Sequence, residues 1–241
     1  MLKAVIFDFD GIIVDTEPLH YRAFQKILVP LGLGYSWDDY VNCYMGFDDR
    51  EAFLEAFKVN GRDLGVTELG ELIARKASIF EEIIRDGLKP YPGALELIRD
   101  LSGKLPLALC SGALSSDIIP ILKQFEITNA FDVIVTAEDV AASKPDPESY
   151  VRAVRGLNAV FPDKLIMPRE CLAIEDTPAG IASAQTAGIP VLAVTNSYPT
   201  EKLGGAVCVI NSLGEITLEN LMQITQGLDA NGNVAELRQR S

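Results

Sequence analysis

Six short runs of apolar residues recur along the chain, and each run ends abruptly at polar residues. The runs cover residues 4–7, 105–110, 133–135, 172–174, 191–194 and 206–210. Uniformly apolar runs of this length are typical of parallel strands that are buried on both faces of a sheet. The pattern therefore predicts six strands, with the polar residues that follow them at the carboxyl ends of the strands.

Helical signals lie between most of these runs. Pro92-Gly93 precedes apolar residues at helical spacing, and Gly103 ends that segment. Asp146-Pro147 and Thr177-Pro178 each have the pattern of an N-cap followed by proline at the first helical position. Strand and helix thus alternate, which predicts an α/β fold with a doubly wound, parallel, Rossmann-like core. In such sheets ligands bind beyond the carboxyl ends of the strands.

One long stretch breaks the alternation. From about residue 15 to residue 87 no segment has strand character, and helices are predicted over residues 18–29, 36–44, 48–58 and 67–85. We expect an α-helical cap domain, residues 15–87, inserted into a core made of residues 1–14 and 88–241. Its two connections to the core are predicted near Asp15 and Gly87.

Composition narrows the classes of function. The 241 residues carry a formal charge of −13, which argues against a nucleic-acid partner because phosphate backbones are bound by basic surfaces. The single histidine, His20, excludes a metal site built from several histidines. Carboxylates are therefore the expected acids, bases and metal ligands of any catalytic site.

Cysteine usage and hydropathy bear on the compartment. The four cysteines form no CxxC pair, and a chain of this length needs no disulfides, so reduced thiols in a cytoplasmic protein are expected. The first apolar run is too short for a signal peptide, and no stretch approaches the roughly 20 apolar residues that span a bilayer. We expect no membrane partner, and a monomer or a weak oligomer.

The first strand leads directly into two carboxylates. Asp8 and Asp10 follow the run of residues 4–7, and Gly11 allows a tight turn after them. In an extended segment, residues two apart point to the same side, so both carboxylates can face one site. Two close carboxylates suit a hard cation such as Mg²⁺. A surface turn rich in Asp and Gly explains the same residues, and the motif alone does not separate the two interpretations.

Three further polar motifs follow later strands. Glu175-Asp176 opens a helix, where acids also serve simply to favour the helix N-terminus. Ser111-Gly112 can bind phosphate through its hydroxyl and backbone N–H groups, although Ser-Gly is also a frequent turn. Lys144 presents one cation from a rigid proline-rich segment, although an exposed loop lysine is usually only solvated. Each motif taken singly is a weak signal.

The four motifs in this order resemble those of the haloacid dehalogenase superfamily, and within it the β-phosphoglucomutase and phosphoglycolate phosphatase branch. The matching segments are FDFDG at 7–11, CSG at 110–112, SKPDP at 143–147 and IEDTPAGI at 174–181. The resemblance covers essentially the whole chain, including a helical cap after the first strand. It implies phosphoryl transfer rather than dehalogenation, because dehalogenases need neither the second aspartate nor magnesium.

The resemblance also implies roles for single residues. Asp8 is expected to be the nucleophile that forms an aspartyl-phosphate, and Asp10 the general acid and base. Ser111, Gly112 and Lys144 are expected to bind the transferring phosphoryl group. Mg²⁺ is the expected cofactor, held by the Asp8 carboxylate, the Asp10 backbone carbonyl and Asp176, with Glu175 as a ligand or as a support of the ligands.

Three cationic or titratable residues of the predicted cap lie on apolar stripes. They are His20, Arg50 and Lys76, each spaced three or four residues from apolar neighbours on its own helix. Long side chains on such stripes often reach with their charged ends to water. The resemblance implies instead that these residues contact the substrate or help to gate the acid–base aspartate.

Three functions remain open at this point. The leading one is a Mg²⁺-dependent phosphatase that acts on a small phosphorylated metabolite, expected to be a sugar phosphate. The second is a sugar phosphomutase, which differs in retaining the phosphoryl group rather than losing it to water. The third is a non-enzymatic domain that only binds phosphorylated ligands, which the intact set of motif residues disfavours.

Overall fold

The computed structural model describes residues 1–45, 47–85 and 88–227. Its centre is a sheet of six parallel strands in the order β3-β2-β1-β4-β5-β6. The strands are β1 Ala4–Phe7, β2 Leu107–Cys110, β3 Val133–Val135, β4 Cys171–Glu175, β5 Val191–Val194 and β6 Cys208–Ile210. The sequence prediction of a doubly wound parallel sheet is confirmed, because every predicted apolar run overlaps one of these strands.

The register of the sheet brings the polar ends of the central strands together. Phe7 of β1 lies opposite Leu109 of β2 and Ile174 of β4. The residues that follow these strands therefore leave the sheet at one edge, side by side. β1, β2 and β4 are fully buried, and all their residues except Glu175 at the end of β4 are apolar.

Nine α-helices occur within the described residues. They are α1 Glu17–Leu28, α2 Trp37–Asp39, α3 Asp49–Val59, α4 Val66–Arg85, α5 Ala94–Leu101, α6 Ser115–Gln124, α7 Glu148–Val160, α8 Pro178–Thr186 and α9 Leu218–Gln226. A π-helical turn, Tyr40–Tyr44, continues α2. The four helical segments predicted for residues 18–85 agree with the structure to within about two residues, the uncertainty of any helix boundary.

The two helix starts predicted from proline differ in outcome. Thr177 is the N-cap of α8, and its hydroxyl accepts a hydrogen bond from the N–H of Gly180, as predicted. The prediction that Asp146 is the N-cap of α7 is wrong by one residue, because Pro147 occupies that position. The Asp146 carboxylate instead accepts from the N–H of Glu148, two residues on, which is the geometry of an Asx turn.

The chain divides into two compact units. The core unit comprises Met1–Val14 and the segment that begins at Pro90, and the cap unit comprises Asp15–Lys89. Val14 and Pro90 are the core residues between which the cap unit is inserted, and they form an antiparallel β-bridge. The points at which the chain leaves and re-enters the core unit therefore lie side by side. The predicted connection at Gly87 lies outside the described residues.

Each unit has its own hydrophobic core. In the core unit, residues of the sheet pack against α7 and α8, and in the cap unit α1, α3 and α4 enclose a cluster around Phe24 and Phe53. All four cysteines are free. None of the helices in the described ranges is both long and apolar enough to cross a membrane.

Candidate active site

The turn after β1 presents the first carboxylates. Asp8 continues the strand, with its N–H bonded to the carbonyl of Ile174, and its side chain is almost fully buried. Asp10 is half-buried, and Gly11 follows with φ +80, a conformation that favours glycine. A Cβ at Gly11 would also overlap the carboxylate of Asp176. Glycine is therefore favoured at position 11 for two reasons. It adopts the positive φ of the turn, and its lack of a side chain leaves room for the Asp176 carboxylate beside the turn after β1.

Lys144 connects the ends of β1 and β4. Its Nζ lies 2.6 Å from Oδ1 of Asp8 and 2.6 Å from Oε1 of Glu175. It also lies 3.2 Å from the carbonyl of Cys110, at the end of β2. An ammonium has three protons to donate, so these three partners account for all of them. The predicted loop cation is not solvated but fixed between two buried carboxylates.

Glu175 is surrounded by hydrogen-bond donors. Its Oε1 accepts from Lys144 and, at 2.8 Å, from the hydroxyl of Tyr150, while its Oε2 accepts from the N–H of Asp176 and the hydroxyl of Thr177. The side chain is fully buried. Both carboxylate oxygens are thus already engaged with protein groups.

Two residues beside Glu175 have roles in the site that the sequence analysis does not predict. Tyr150 lies on the buried face of α7, six residues after Lys144, and a buried tyrosine hydroxyl normally needs a partner. Gly180 lies in the first turn of α8, where a Cβ would overlap the Glu175 carboxylate. Gly180 lies inside the matching segment 174–181, but its steric role is not visible in the sequence. Tyr150 has no local sequence signal, because its contact with Glu175 joins residues distant in sequence.

Asp176 is placed differently from Glu175. It is fully buried, and neither of its carboxylate oxygens has a hydrogen-bond partner of normal geometry. Burial, more than the opposing effect of the Ser197 hydroxyl, raises the pKa of Asp176 to about 7. A buried carboxylate without donors is costly unless a cation compensates it.

The carboxylates of Asp8, Glu175 and Asp176 form one cluster, with an oxygen of each within 4.8 Å of the others. All three are buried, and oxygen donors of this kind are the ligands that hard divalent cations prefer. The unpartnered oxygens of Asp176 are the feature that a bound cation would satisfy. The residues therefore fit a divalent metal ion of the Mg²⁺ type.

The charges of the site depend on one another. Burial raises the pKa of Asp8 well above its usual range, and the nearby charge of Lys144 opposes this shift. Burial alone would lower the pKa of Lys144, but the attraction of Asp8 and Glu175 outweighs it and raises that pKa far above its usual value. Lys144 is therefore charged at neutral pH, and it favours the ionised form of Asp8.

Ser111 and Gly112 lie at the same edge of the sheet, directly after β2. Ser111 is buried, with its N–H bonded to the carbonyl of Val135 and its Oγ accepting from the N–H of Ala113. A Cβ at Gly112 would meet nothing within 4 Å, so no steric reason requires glycine there. The hydroxyl proton of Ser111 is available for a further acceptor.

The cap residues that were predicted to contact the substrate differ in burial and in their contacts. Lys76 is fully buried, and its Nζ lies 2.7 Å from Oδ1 of Asp49 and 2.8 Å from Nδ1 of His20. The ring of His20 stacks on Phe80 with 4.2 Å between ring centroids. The alternative that Lys76 reaches water with its charged end is therefore wrong, because its ammonium is paired inside the cap unit.

The interpretation that Arg50 shares the apolar stripe of its helix is wrong. Arg50 is exposed, and the buried face of α3 is formed by Ala52, Phe53, Ala56 and Phe57. Asp49 lies three and four residues before Ala52 and Phe53, so it is Asp49 that shares this face. Of the apolar residues that follow Arg50 at helical spacing, Leu54 is itself exposed.

Comparison with known proteins agrees with this geometry. The sequence profile of the family described as haloacid dehalogenase-like hydrolase matches residues 5–194. The phosphorylated carbohydrates phosphatase of Thermotoga maritima is 31% identical over 192 residues, which cover 78% of this chain and 82% of that protein. The β-phosphoglucomutase of Bacillus subtilis is 31% identical over 227 residues, covering 91% of this chain and 94% of that protein.

A solved structure shares the fold. CbbY from Rhodobacter sphaeroides superposes with a TM-score of 0.79 at 24% identity, covering 92% of this chain and 99% of that structure. This chain belongs to the haloacid dehalogenase-like hydrolase family, as the four motifs predict. It is an enzyme of that family, so the alternative of a domain that only binds ligands is set aside.

Proposed function

We propose that the protein is a Mg²⁺-dependent phosphatase that hydrolyses a small sugar phosphate through a phosphorylated Asp8. The observation that carries the proposal is the position of Lys144, shared at 2.6 Å between Asp8 and Glu175 beside the unpartnered carboxylate of Asp176. A nucleophilic carboxylate, a fixed cation and a candidate metal site thus meet at the carboxyl ends of three neighbouring strands. Phosphoryl transfer needs mainly such positioning and charge neutralisation.

Asp8 begins the reaction. One oxygen of its carboxylate attacks phosphorus in line with the bond to the sugar oxygen; the new O–P bond forms as the old one breaks. Asp10 donates a proton to the leaving sugar oxygen, which departs as an alcohol. Asp10 then accepts a proton from a water molecule that attacks the same phosphorus, which releases inorganic phosphate and restores Asp8.

Lys144 and the loop after β2 hold the transferring group. The Lys144 ammonium lies against Asp8, so it neutralises both the nucleophile and the oxygens of the phosphoryl group. The hydroxyl of Ser111 and the N–H of Gly112 donate to those oxygens from the end of β2. Lys144 is held for this purpose by Glu175, whose other contacts leave it little freedom.

The proposed metal ligands are two carboxylates and one backbone carbonyl, from two of the four motifs. We assign the Asp8 carboxylate, the Asp10 backbone carbonyl and the Asp176 carboxylate to Mg²⁺. Glu175 supports them rather than binding the ion, because both of its oxygens already accept hydrogen bonds. When bound, the ion supplies positive charge to the oxygens of the transferring phosphoryl group.

We propose that the cap unit recognises the sugar. The family resemblance assigns contact with the substrate, or gating of the acid–base aspartate, to the positions of His20, Arg50 and Lys76. The phosphomutase alternative rests on the similarity to the Bacillus subtilis β-phosphoglucomutase. The two functions differ in product, since a mutase converts glucose 1-phosphate to glucose 6-phosphate and a phosphatase releases inorganic phosphate.

The test is a panel of sugar phosphates assayed for inorganic phosphate, with and without Mg²⁺. We expect Mg²⁺-dependent phosphate release by the wild-type protein and none by the Asp8→Asn variant. Phosphate release by Asp8→Asn at a rate close to the wild type would contradict the proposal. Conversion of glucose 1-phosphate to glucose 6-phosphate without phosphate release would favour the mutase instead.

A further inference from the structure

The cap unit contains a polar cluster, defined by Lys76, His20, Asp49 and Glu17, in which Lys76 is fully buried and the other three are partly buried. Lys76 is fully buried and contacts the faces of Phe24 and Phe80, at 5.3 and 4.7 Å from the ring centroids. Removing an ammonium from water is costly unless an anion compensates it. The identity of that anion therefore decides what else this cation can bind.

Asp49 is the counter-ion of Lys76. Its Oδ1 lies 2.7 Å from the Lys76 Nζ, and its side chain is only 16% exposed. A pair at this distance with little access to water is screened weakly by salt. The single positive charge of the cluster is thus matched by a carboxylate of the chain itself.

His20 adds no charge to this cluster. The Lys76 ammonium has only protons to donate, so the Nδ1 of His20 at 2.8 Å accepts, and the ring proton lies on Nε2. Burial, with the charge of Lys76, lowers the pKa of His20 well below 6.5. His20 is therefore a neutral ring with one N–H, which suits a sugar hydroxyl oxygen better than a second phosphate.

Glu17 adds a second carboxylate. Its Oε2 accepts a hydrogen bond of 2.5 Å from the Tyr40 hydroxyl. Burial raises the pKa of Glu17, while the Tyr40 hydrogen bond and the Lys76 charge oppose the shift. The Lys76 ammonium is therefore paired with the Asp49 carboxylate beside a neutral imidazole, so the cluster has no surplus positive charge.

From this charge balance we infer that Asp49 is a specificity-determining residue, which restricts the enzyme to sugar monophosphates whose non-transferring end is uncharged. The inference rests on the proposed function, in which the cap unit recognises the sugar. An anionic group near Lys76 must compete with Asp49 and is repelled by it, whereas hydroxyl groups are not. An enzyme-bound phosphoryl group that moves between two sugar positions passes through a bisphosphate, so this restriction also opposes the mutase alternative.

The experiment compares matched substrates on the wild-type protein and on variants. The pairs are fructose 1-phosphate with fructose 1,6-bisphosphate and glucose 1-phosphate with glucose 1,6-bisphosphate. We use the pair whose monophosphate the wild-type protein hydrolyses faster. Within that pair we expect the wild-type kcat/KM for the monophosphate to exceed that for the bisphosphate about tenfold or more. In Asp49→Asn, which frees the charge of Lys76, the preference should fall by about tenfold, mainly through KM for the bisphosphate.

Two controls make the test specific. Asp63→Asn removes an exposed carboxylate from the same unit and should leave the preference unchanged. Asp49→Glu keeps the charge and should retain the monophosphate preference.

A wild-type protein that hydrolyses the monophosphate and the bisphosphate of a pair equally well overturns the inference, even if Asp49→Asn fails to fold. So does an Asp49→Asn variant whose preference matches the wild type. Absence of phosphate release from every monophosphate would instead overturn the proposed function.

Discussion

The Nζ of Lys144 lies as close to Oε1 of Glu175 as to Oδ1 of Asp8, at 2.6 Å from each. Glu175 is the more buried of the two carboxylates and has the greater number of donors around it. It is therefore the fixed partner that positions the Lys144 ammonium against Asp8, the proposed nucleophile. The chemistry proposed for Asp8 depends on this contact with a residue that need not touch the substrate.

The first prediction concerns this support. In Glu175→Gln the anionic partner of Lys144 is lost while the size of the side chain is retained. We expect kcat to fall about 10–100-fold, as is usual when a group that orients the site is removed. The measurement is steady-state phosphate release at saturating Mg²⁺. The exposed Glu96→Gln should behave as the wild type, and a kcat within twofold of the wild type for Glu175→Gln would refute the positioning role.

The second prediction uses two helical glycines. In Gly180→Ala the new methyl group overlaps the Glu175 carboxylate, so we expect a loss of about 1–3 kcal/mol in the free energy of unfolding. Gly70→Ala, in α4 with nothing within 4 Å of the added Cβ, should stabilise by about 1 kcal/mol. Urea unfolding measures both. Equal stability of the two variants would show that the contact at Gly180 relaxes freely.

The third prediction separates Asp176 from Glu175 by metal binding. Asp176 has unpartnered oxygens, so Asp176→Asn should weaken Mg²⁺ binding about tenfold or more in isothermal titration. This readout does not depend on turnover. The exposed Asp163→Asn is the matched control and should bind Mg²⁺ as the wild type does. Unchanged Mg²⁺ affinity in Asp176→Asn would remove this residue from the ligand set.

The fourth prediction follows from the lowered pKa of His20. Between its folded pKa and the unfolded value of 6.5, the unfolded chain binds a proton that the folded chain does not. Stability is therefore lost as pH falls below 6.5, with a limiting slope of about 1.4 kcal/mol per pH unit for one group. His20→Gln should lack this component, so the difference between the two unfolding free energies should depend on pH.

Urea unfolding of both proteins at neutral and at mildly acidic pH measures that difference. The chain has one histidine, so its NMR imidazole signals can be assigned without ambiguity. They should remain those of a neutral ring as pH falls through about 6.5. An imidazole that titrates at its ordinary pKa would contradict the buried environment.

The sheet was predictable because buried parallel strands leave a strong local pattern. Residues 4–7, 133–135 and 191–194 coincide with β1, β3 and β5. The first residue of a helix is harder to predict than its existence. At α7 the sequence indicates Asp146 as the N-cap, whereas the structure has Pro147 there and Asp146 in an Asx turn. Arg50 shows a second limit: the exposed Arg50 and the partly buried Asp49 are neighbours on α3, and the spacing of the apolar residues alone does not determine which of them shares the buried face.

The site was predictable as a set of residues but not as a network. The four motifs place Asp8, Ser111, Lys144 and Glu175-Asp176 at one edge because parallel strands end together. That Lys144 bridges two carboxylates, and that Tyr150 donates to one of them, depends on side-chain directions across residues distant in sequence. Those contacts follow from packing, which has no local signature.

The fifth and most direct test asks whether Asp8 is phosphorylated during turnover. The protein is mixed with its best sugar monophosphate and Mg²⁺, quenched rapidly, reduced with borohydride and digested for mass spectrometry. Borohydride reduces an acyl-phosphate to an alcohol, so the account predicts homoserine at position 8, in the wild type and not in Asp8→Asn. Steady phosphate release with an unmodified Asp8, or with the reduced residue at another position, would contradict it.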